Sequence, residues 1–321
     1  MRQQTILVTG ATGFIGRVLT ADLLLQGHRV VAAVRRTGAP LAPAIRQVVT
    51  GDMANDNDWS IALDGVDTVV HLAARVHVMN DQASDKLAAF RRMNVDATLH
   101  LAKQAACVGV RRFVFISSIG VNGAESVGGP FSEASAPQPH SPYAVSKHEA
   151  ELALAALCAG VAMELVVLRP PLVYGAGAPG NFATLIKLVS KGVPFPLASV
   201  DNRRSMIFVD NLVHFIGVCI SDPRAANQTF LVADAEPVSV AELIRALSSG
   251  LGRRARLFAC PVRLLAVLAK LARKEPTYQQ LCGSLEIDAS KAHRLLGWTP
   301  PVRVQDGLHR SAHATLAKKR A

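Results

Sequence analysis

A glycine-rich turn between an apolar strand and a helix is the feature that most constrains the fold. Residues 5–9 form a short apolar run rich in β-branched side chains, and GATGFIG follows at residues 10–16. A helical pattern continues to residue 26, and a second apolar run occupies residues 29–34. This unit of about 30 residues is the context of a dinucleotide-binding fingerprint, although its glycine spacing is GxxGxxG instead of GxGxxG.

The turn is predicted to bind the pyrophosphate of a dinucleotide. Glycines allow a tight turn and close approach of the backbone, and the helix that follows offers free N–H groups and the positive end of its dipole. The residues predicted to form this part of the site are Gly10, Thr12, Gly13, Phe14, Ile15 and Gly16.

The end of the second strand bears on the choice of cofactor. An acidic residue there would accept hydrogen bonds from the adenosine ribose and indicate NAD. Val34 occupies this position, and Arg35 and Arg36 follow it. Two guanidinium groups can pair with a 2′-phosphate. We therefore favour NADP(H) over NAD(H), with the alternative that both arginines point into solvent and NAD binds.

A tyrosine and a lysine four residues apart lie near the start of another predicted helix. Ser141 can cap this helix and Pro142 suits its first position. Because residues four apart share a helix face, we expect Lys147 to lower the pKa of Tyr143 so that it serves as a general acid or base. Ser118 ends an apolar run and can hydrogen-bond a substrate oxygen. Ser118, Tyr143 and Lys147 are therefore the predicted catalytic residues.

The order of the apolar runs predicts an α/β fold with a doubly wound parallel sheet of the Rossmann type. Loops rich in glycine and proline begin at residue 175, and such segments suit a ligand-adapted lobe. We therefore expect residues 1–175 to be mainly the nucleotide-binding domain and residues 176–321 mainly a smaller lobe. Strands are predicted at residues 5–9, 29–34, 46–50, 67–71, 112–117 and 163–168, and long helices at residues 85–108 and 142–160.

Several motifs together resemble the extended short-chain dehydrogenase/reductase superfamily of nucleotide-sugar epimerases, dehydratases and reductases. They are GATGFIG, Ser118, Tyr143 with Lys147, GDM at 51–53, HLAA at 71–74, RPPLVYG at 169–175 and RSMIFVD at 204–210. The resemblance covers nearly the whole chain. It implies that the C-terminal lobe binds the substrate, that some late segments return to the sheet, and that the two long helices form a homodimer interface.

The resemblance also implies roles for individual residues. Tyr143 exchanges a proton with a sugar hydroxyl or ketone, Lys147 also holds the nicotinamide ribose, and Ser118 polarises the substrate oxygen. Asn181 and Arg204 match the positions that hold the diphosphate of UDP, and Arg203 can share that role. The further cofactor contacts that it implies are Asp52, Met53, Leu72, Ala73, Ala74, Pro170 and Val173.

The finer likeness is to bacterial UDP-4-keto-6-deoxy-N-acetylhexosamine 4-reductases, which supply sugars for surface polysaccharide. The related 4,6-dehydratases carry Asp-Glu after the catalytic hydroxyl, whereas this chain has Ile119 and Gly120, which argues against dehydration. Epimerases usually keep the acidic residue that Val34 replaces. We therefore expect NADPH-dependent reduction of the C4 ketone of such a UDP-sugar. The alternatives are a UDP-hexose 4-epimerase with tightly bound NAD, oxidoreduction of a small apolar ketone, and a non-catalytic nucleotide-binding or regulatory member.

Composition and net charge indicate which classes of ligand and partner the chain can bind. The chain is 50% apolar and 18% charged, which is typical of a folded globular protein, and its net charge is +11 without a basic block. A positive field attracts anionic cofactors and nucleotide-linked substrates, and we predict no nucleic-acid partner. Five scattered cysteines form no CxxC pair. We expect buried free thiols in a reducing cytoplasm and no metal site.

One apolar stretch outside the predicted core strands, residues 257–271, raises the question of a membrane. It contains Arg263 and Lys270 and is followed by two more basic residues. It is too short and too charged to span a bilayer. We expect a helix that covers the substrate site or packs in the C-terminal lobe, with peripheral contact to a membrane surface as the alternative.

Overall fold

The computed structural model describes residues 3–76 and 85–320. Within these ranges seven strands form one parallel sheet in the order β3-β2-β1-β4-β5-β6-β9, and two short strands, β7 and β8, form a separate parallel pair. The doubly wound α/β fold is therefore confirmed. The strands are β1 (Thr5–Thr9), β2 (Arg29–Val34), β3 (Arg46–Val49), β4 (Thr68–His71), β5 (Arg112–Ile116), β6 (Glu164–Arg169), β7 (Leu172–Tyr174), β8 (Met206–Phe208) and β9 (Gln228–Leu231).

The helices cover both faces of the main sheet and build the C-terminal region. They are α1 (Phe14–Leu25), α2 (Ser60–Leu63), α3 (Lys86–Arg91), α4 (Ala97–Cys107), α5 (Pro142–Cys158), α6 (Asn181–Ser190), α7 (Val209–Ser221), α8 (Val240–Gly250), α9 (Val262–Leu271), α10 (Glu275–Cys282), α11 (Ser290–Leu296) and α12 (Val304–Arg320). A π-helical turn (Arg92–Asp96) joins α3 to α4, so the helix predicted at residues 85–108 is interrupted by a wider turn.

Alternate side chains of the central strands enter two different apolar layers. In β1, Ile6 and Val8 belong to one buried cluster, here called the main core, while Leu7 belongs to a second cluster on the other face. A parallel strand covered on both faces reads as a continuous apolar run, which explains why these strands were visible in the sequence. The observed ends equal the predicted ones in β1 and β2, and differ by one residue in β3, β4, β5 and β6.

The order of the sheet locates a crevice. β2 and β3 lie on one side of β1, whereas β4 and the strands after it lie on the other side. The direction in which strands are added to the sheet therefore reverses between β1 and β4. In an open α/β sheet, ligands bind outside the carboxyl ends of the strands at such a reversal. Gly10 follows β1 and Leu72 follows β4, so the glycine-rich turn and the residues after His71 meet there.

The later part of the chain is tied to the sheet. β9 pairs in parallel with β6, so one segment after residue 175 lies in the main sheet. Inside the C-terminal region, the Tyr174 hydroxyl donates to the Asp234 carboxylate at 2.8 Å, and that carboxylate also accepts from the Asn211 side chain at 2.7 Å. The division of the chain at residue 175 stays a prediction.

The five cysteines are free thiols with different exposures. Cys219 is buried and Cys107 is exposed, while Cys158, Cys260 and Cys282 lie between these extremes. The expectation of buried thiols is therefore correct only for Cys219.

Candidate active site

The glycine-rich turn has no room for side chains at two of its glycines. Gly10 has φ +68°, and a Cβ there would lie 2.9 Å from the Ala73 nitrogen. A Cβ on Gly16 would lie 2.2 Å from the Gly10 carbonyl oxygen. Helix α1 begins at Phe14 without a side-chain cap. A turn without side chains and a helix start without a side-chain cap leave backbone N–H groups free for an anion, which fits a dinucleotide pyrophosphate. Binding of a pyrophosphate at this turn stays a prediction.

A buried histidine holds the strand ends beside this turn. His71 Nδ1 lies 2.9 Å from Thr9 Oγ1 and its Nε2 lies 2.9 Å from Thr98 Oγ1. Thr9 Oγ1 in turn accepts from the Ala73 N–H at 3.2 Å. Burial, reinforced by the charge of Lys147, lowers the pKa of His71 to about 3. The imidazole is therefore neutral and supports the backbone that approaches Gly10.

Tyr143 lies at the start of α5 as the sequence predicted. Ser141 accepts from the Ala144 N–H at 3.2 Å and Pro142 takes the first helical position. The Tyr143 ring packs edge-on against Phe90, with 6.1 Å between centroids. Burial raises the pKa of Tyr143 to about 12. The expectation that Lys147 lowers this pKa is therefore wrong for the structure described, because the loss of water around the hydroxyl outweighs any effect of the lysine.

Lys147 is a buried cation at the carboxyl end of β5. Its Nζ donates to the Ile116 carbonyl oxygen at 2.8 Å and lies 4.4 Å from the centre of the Phe115 ring. Burial lowers the pKa of Lys147 to about 7, while the charge of Glu151 acts in the opposite direction. Lys147 therefore loses its positive charge as the pH rises through about 7, and with it the electrostatic stabilisation that it gives to nearby negative groups.

Replacing Lys147 by methionine is expected to change the pH dependence of stability. The folded pKa of about 7 lies below the usual 10.5, so the charged lysine destabilises the fold. The penalty is fully present below pH 7 and fades as the pH rises to 10.5. Lys147→Met removes it, so the stability of the variant relative to the wild type should fall by on the order of 4 kcal/mol between pH 6 and pH 10.

Thermal unfolding of both proteins from pH 6 to pH 10 measures this difference. Titrations common to both chains cancel in the comparison. A stability difference that stays constant across the range would contradict the assigned cause.

An asparagine that the sequence reasoning missed joins the β4 loop to α5. Asn94 is buried in the π-helical turn; its side chain accepts from the Arg75 N–H at 2.7 Å and donates to the Arg75 carbonyl oxygen at 3.0 Å. The same amide donates to Ser146 Oγ at 3.0 Å, and that hydroxyl donates to the Tyr143 carbonyl oxygen at 2.8 Å. Asparagine is a poor residue for a helix interior, and its position between apolar neighbours was the available signal.

The predicted catalytic hydroxyl lies next to the start of α5. Ser118 Oγ accepts from the Gly120 N–H at 3.1 Å, and the side chain is partly exposed. A Cβ on Gly120 would lie 3.4 Å from both Ser118 Oγ and the Ala144 Cβ. The serine therefore adjoins the first turn of the helix that carries Tyr143. The structure brings Ser118, Tyr143 and Lys147 to one region, at the carboxyl end of β5.

Ser117, the residue before Ser118, has a different environment. It is buried and donates to Glu151 in a short hydrogen bond. Glu151 pairs with Arg169 at 2.5 Å, and Arg169 donates to Asn122 Oδ1 at 3.0 Å. A buried ion pair with all these partners holds α5 against β6 and the loop after β5.

Comparison with known proteins gives the family. The family model described as "NAD dependent epimerase/dehydratase family" matches residues 6–233. The chain belongs to this family. The predicted extended short-chain dehydrogenase/reductase relationship is confirmed, whereas the 4-reductase subtype stays a prediction.

Relatives of this epimerase/dehydratase chain include different activities. UDP-glucose 4-epimerase of Vibrio cholerae is 41% identical over 315 residues, which cover 98% of this chain and 96% of that protein. The 2-alkyl-3-oxoalkanoate reductase of Stenotrophomonas maltophilia (strain K279a) is 28% identical over 95% of this chain and 97% of its own. The solved structure of MoeE5 in complex with UDP-glucuronic acid and NAD has a TM-score of 0.78 at 27% identity, covering 98% of this chain and 99% of that one.

The residues just after β2, where the sequence predicts contacts with the adenosine end of a cofactor, are exposed. Arg35 and Arg36 follow β2 and are exposed. Asp52 is exposed and its side chain accepts from the Ala54 N–H at 3.0 Å, while Met53 is buried in the second apolar cluster. The arginines are therefore accessible to a phosphate, but the preference for NADP stays a prediction.

The remaining implied cofactor residues lie near the strand ends. Leu72, Ala73 and Ala74 follow β4 and are half-buried. Pro170 is buried between β6 and β7 and its carbonyl oxygen accepts from the Ile119 N–H at 3.0 Å, whereas Val173 in β7 is half-buried. Their contacts with a cofactor stay predictions.

The implied substrate residues of this family member differ in their surroundings. Asn181 is exposed at the start of α6 and donates to Gln280 Oε1 at 2.9 Å. Arg204 is half-buried and donates to the Gly283 carbonyl oxygen at 2.9 Å, and burial lowers its pKa. Arg203 is exposed and paired with Glu286 at 2.7 Å. Arg204 is therefore the more enclosed cation, and the structure adds the α10 region as the neighbour of both Asn181 and Arg204.

Within residues 3–76 and 85–320, no group of three or more His, Cys, Asp or Glu side chains is placed to hold a metal ion. In the same ranges no helix is long and apolar enough to cross a membrane.

Proposed function

We propose that this protein is a UDP-hexose 4-epimerase that works with retained NAD. The observation that carries the proposal is the 41% identity to UDP-glucose 4-epimerase of Vibrio cholerae over almost the whole of both chains. This replaces the 4-reductase as the main interpretation. The complete Ser118, Tyr143 and Lys147 set supports an enzyme over the non-catalytic alternative.

The chain's own residues supply binding, orientation and proton transfer. The turn of Gly10, Gly13 and Gly16 would hold the NAD pyrophosphate, and Lys147 would hold the nicotinamide ribose. Bound in this way, the cofactor would supply reversible hydride transfer at the sugar carbon. Tyr143 exchanges the proton of the sugar oxygen, and Ser118 donates a hydrogen bond to that oxygen.

Proton exchange by Tyr143 requires a change in its surroundings. Its raised pKa keeps the hydroxyl protonated at neutral pH, which is the form that donates to a ketone oxygen. Removing a proton from a sugar hydroxyl needs the phenolate, so positive charge has to stabilise it in the working complex. Lys147 is the buried cation that α5 carries four residues away.

A second candidate is NADPH-dependent reduction of the C4 ketone of a UDP-4-keto-6-deoxy-N-acetylhexosamine. The observation that favours it is the strand end at Val34, where no carboxylate is present and Arg35 and Arg36 are exposed. Two guanidinium groups can pair with the 2′-phosphate of NADPH. In a reductase this cofactor would exchange after each turnover. Assembly as a homodimer and a cytoplasmic location accompany both candidates as predictions.

One experiment separates the two candidates. The purified protein is denatured to release and identify its nicotinamide, and the native protein is incubated with UDP-glucose without added cofactor. We expect close to one NAD per chain and the appearance of UDP-galactose. Stoichiometric oxidation of NADPH by the 4-keto sugar, with no cofactor-free interconversion, would instead establish the reductase.

A further inference from the structure

Helix α9 carries an apolar stripe that faces away from the protein. Leu264, Val267, Leu268 and Leu271 recur at helical spacing and are all exposed, Leu268 to 51% and Leu271 to 77%. Residues at i, i+3, i+4 and i+7 form one continuous helix face. Phe258, just before the helix, is also half-exposed at 50%. Large apolar side chains grouped in this way mark an interaction surface.

The opposite side of α9 already has its packing partner. Leu265 packs against the main core, and Ala266 and Ala269 are half-buried. The helix thus has an apolar inner side that holds it on the protein and a separate outer stripe. Packing in the C-terminal lobe, which the sequence led us to expect, accounts for the inner side only.

Charge identifies the kind of partner. Residues 253–274 contain seven basic residues and no acidic one. Arg263 and Lys270 are exposed on α9 and lie seven residues apart, so they share one flank of the stripe. Arg273 and Lys274 are exposed just beyond the helix. A surface that combines an apolar stripe with a basic border complements anionic headgroups above a hydrocarbon layer.

We propose that the outer face of α9 docks the protein on an anionic lipid bilayer surface. The stripe of Leu264, Val267, Leu268 and Leu271 would enter the boundary between headgroups and acyl chains, while the long basic side chains reach lipid phosphates. The helix has ten residues, about 15 Å, so it lies on a bilayer and does not cross it. A second copy of this face is disfavoured because it would bring two sets of basic residues together.

The docking surface is continuous with the implied substrate region. Helix α10 follows α9 directly and packs against it. Gln280 of α10 accepts from Asn181, and Gly283 after α10 accepts from Arg204. A bilayer against α9 would therefore lie beside the candidate sugar-diphosphate region. The proposal itself rests on α9 alone and holds whichever reaction the site performs.

Vesicle co-sedimentation of the full chain tests the proposal. The protein is spun with vesicles of phosphatidylcholine alone and with vesicles that contain about one third phosphatidylglycerol. We expect binding to the anionic vesicles to be at least about tenfold tighter and to weaken as salt rises. The variant Leu268→Glu should bind them at least about tenfold less well, because it places a carboxylate in the stripe.

A matched control is available on another surface. Ile61 is 67% exposed in α2, so Ile61→Glu makes a similar exchange of an exposed aliphatic side chain for a carboxylate and should bind vesicles like the wild type. Lys270→Glu should weaken binding to anionic vesicles and leave binding to phosphatidylcholine unchanged. Thermal unfolding of each variant shows whether it remains folded.

Three outcomes would overturn the proposal. The first is no binding to anionic vesicles, and the second is equal weakening by Leu268→Glu and Ile61→Glu. In the third, Leu268→Glu leaves vesicle binding intact but changes the oligomeric state or the KM for a UDP-sugar. The stripe would then be an interface between copies or a cover of the substrate region.

Discussion

Tyr143→Phe is expected to lower the proposed epimerase turnover about a thousandfold, because the variant loses the hydroxyl to which we assign proton exchange with the substrate oxygen. Phenylalanine keeps the ring that packs on Phe90 and leaves the cap of α5 intact. The variant should therefore fold and keep its bound NAD. Turnover of UDP-glucose and the NAD content of the same sample are the two measurements.

The NAD content of the variant distinguishes a chemical role of Tyr143 from a structural one. If both turnover and NAD content fall together, the tyrosine acts by holding the cofactor site. If turnover stays within about tenfold of the wild type, another group transfers the proton and the assignment is wrong.

Gly16→Ala is expected to remove cofactor binding and to destabilise the fold by about 3 kcal/mol. The new methyl carbon would lie 2.2 Å from the Gly10 carbonyl oxygen and 2.7 Å from the Ala11 Cα. Both are backbone atoms, so the turn itself has to move, and α1 would be displaced from the sheet. The purified variant should contain no NAD and should unfold at a lower temperature than the wild type.

Gly160→Ala is the matched control for this substitution. A Cβ at Gly160, just after α5, meets only the Leu157 carbonyl oxygen at 3.8 Å, an ordinary contact. This variant should keep its NAD and lose little stability. Equal effects of the two alanines would show that the close packing of the glycine-rich turn is not what the cofactor requires.

The fold was predictable because its signals are local. The central strands are covered on both faces, so β1, β2 and β5 appear as apolar runs that need no knowledge of their neighbours. The turn at Gly10 is visible because only glycine suits its positive φ and close approach to Ala73. The cap by Ser141 and Pro142 likewise depends on a few consecutive residues.

The buried polar residues that hold the candidate site together could not be predicted from the sequence. Asn94 makes its bonds to Arg75 and Ser146, residues 19 and 52 positions away. His71 bridges Thr9 and Thr98 across the strand ends. Nothing in the local sequence of these residues indicates such partners, because folding creates them.

The sequence on its own determined which segments form the central strands, where the glycine-rich turn lies, and where Ser118, Tyr143 and Lys147 stand relative to these elements. Each of these features depends on short-range periodicity, helix caps or backbone freedom. Tertiary structure alone decided the protonation of the site and the free face of α9. Burial raises the pKa of Tyr143 to about 12 and lowers that of Lys147 to about 7, where spacing had suggested a lowered tyrosine pKa. Desolvation and exposure depend on what surrounds a side chain in space, and residues four apart on a helix carry no information about that surrounding.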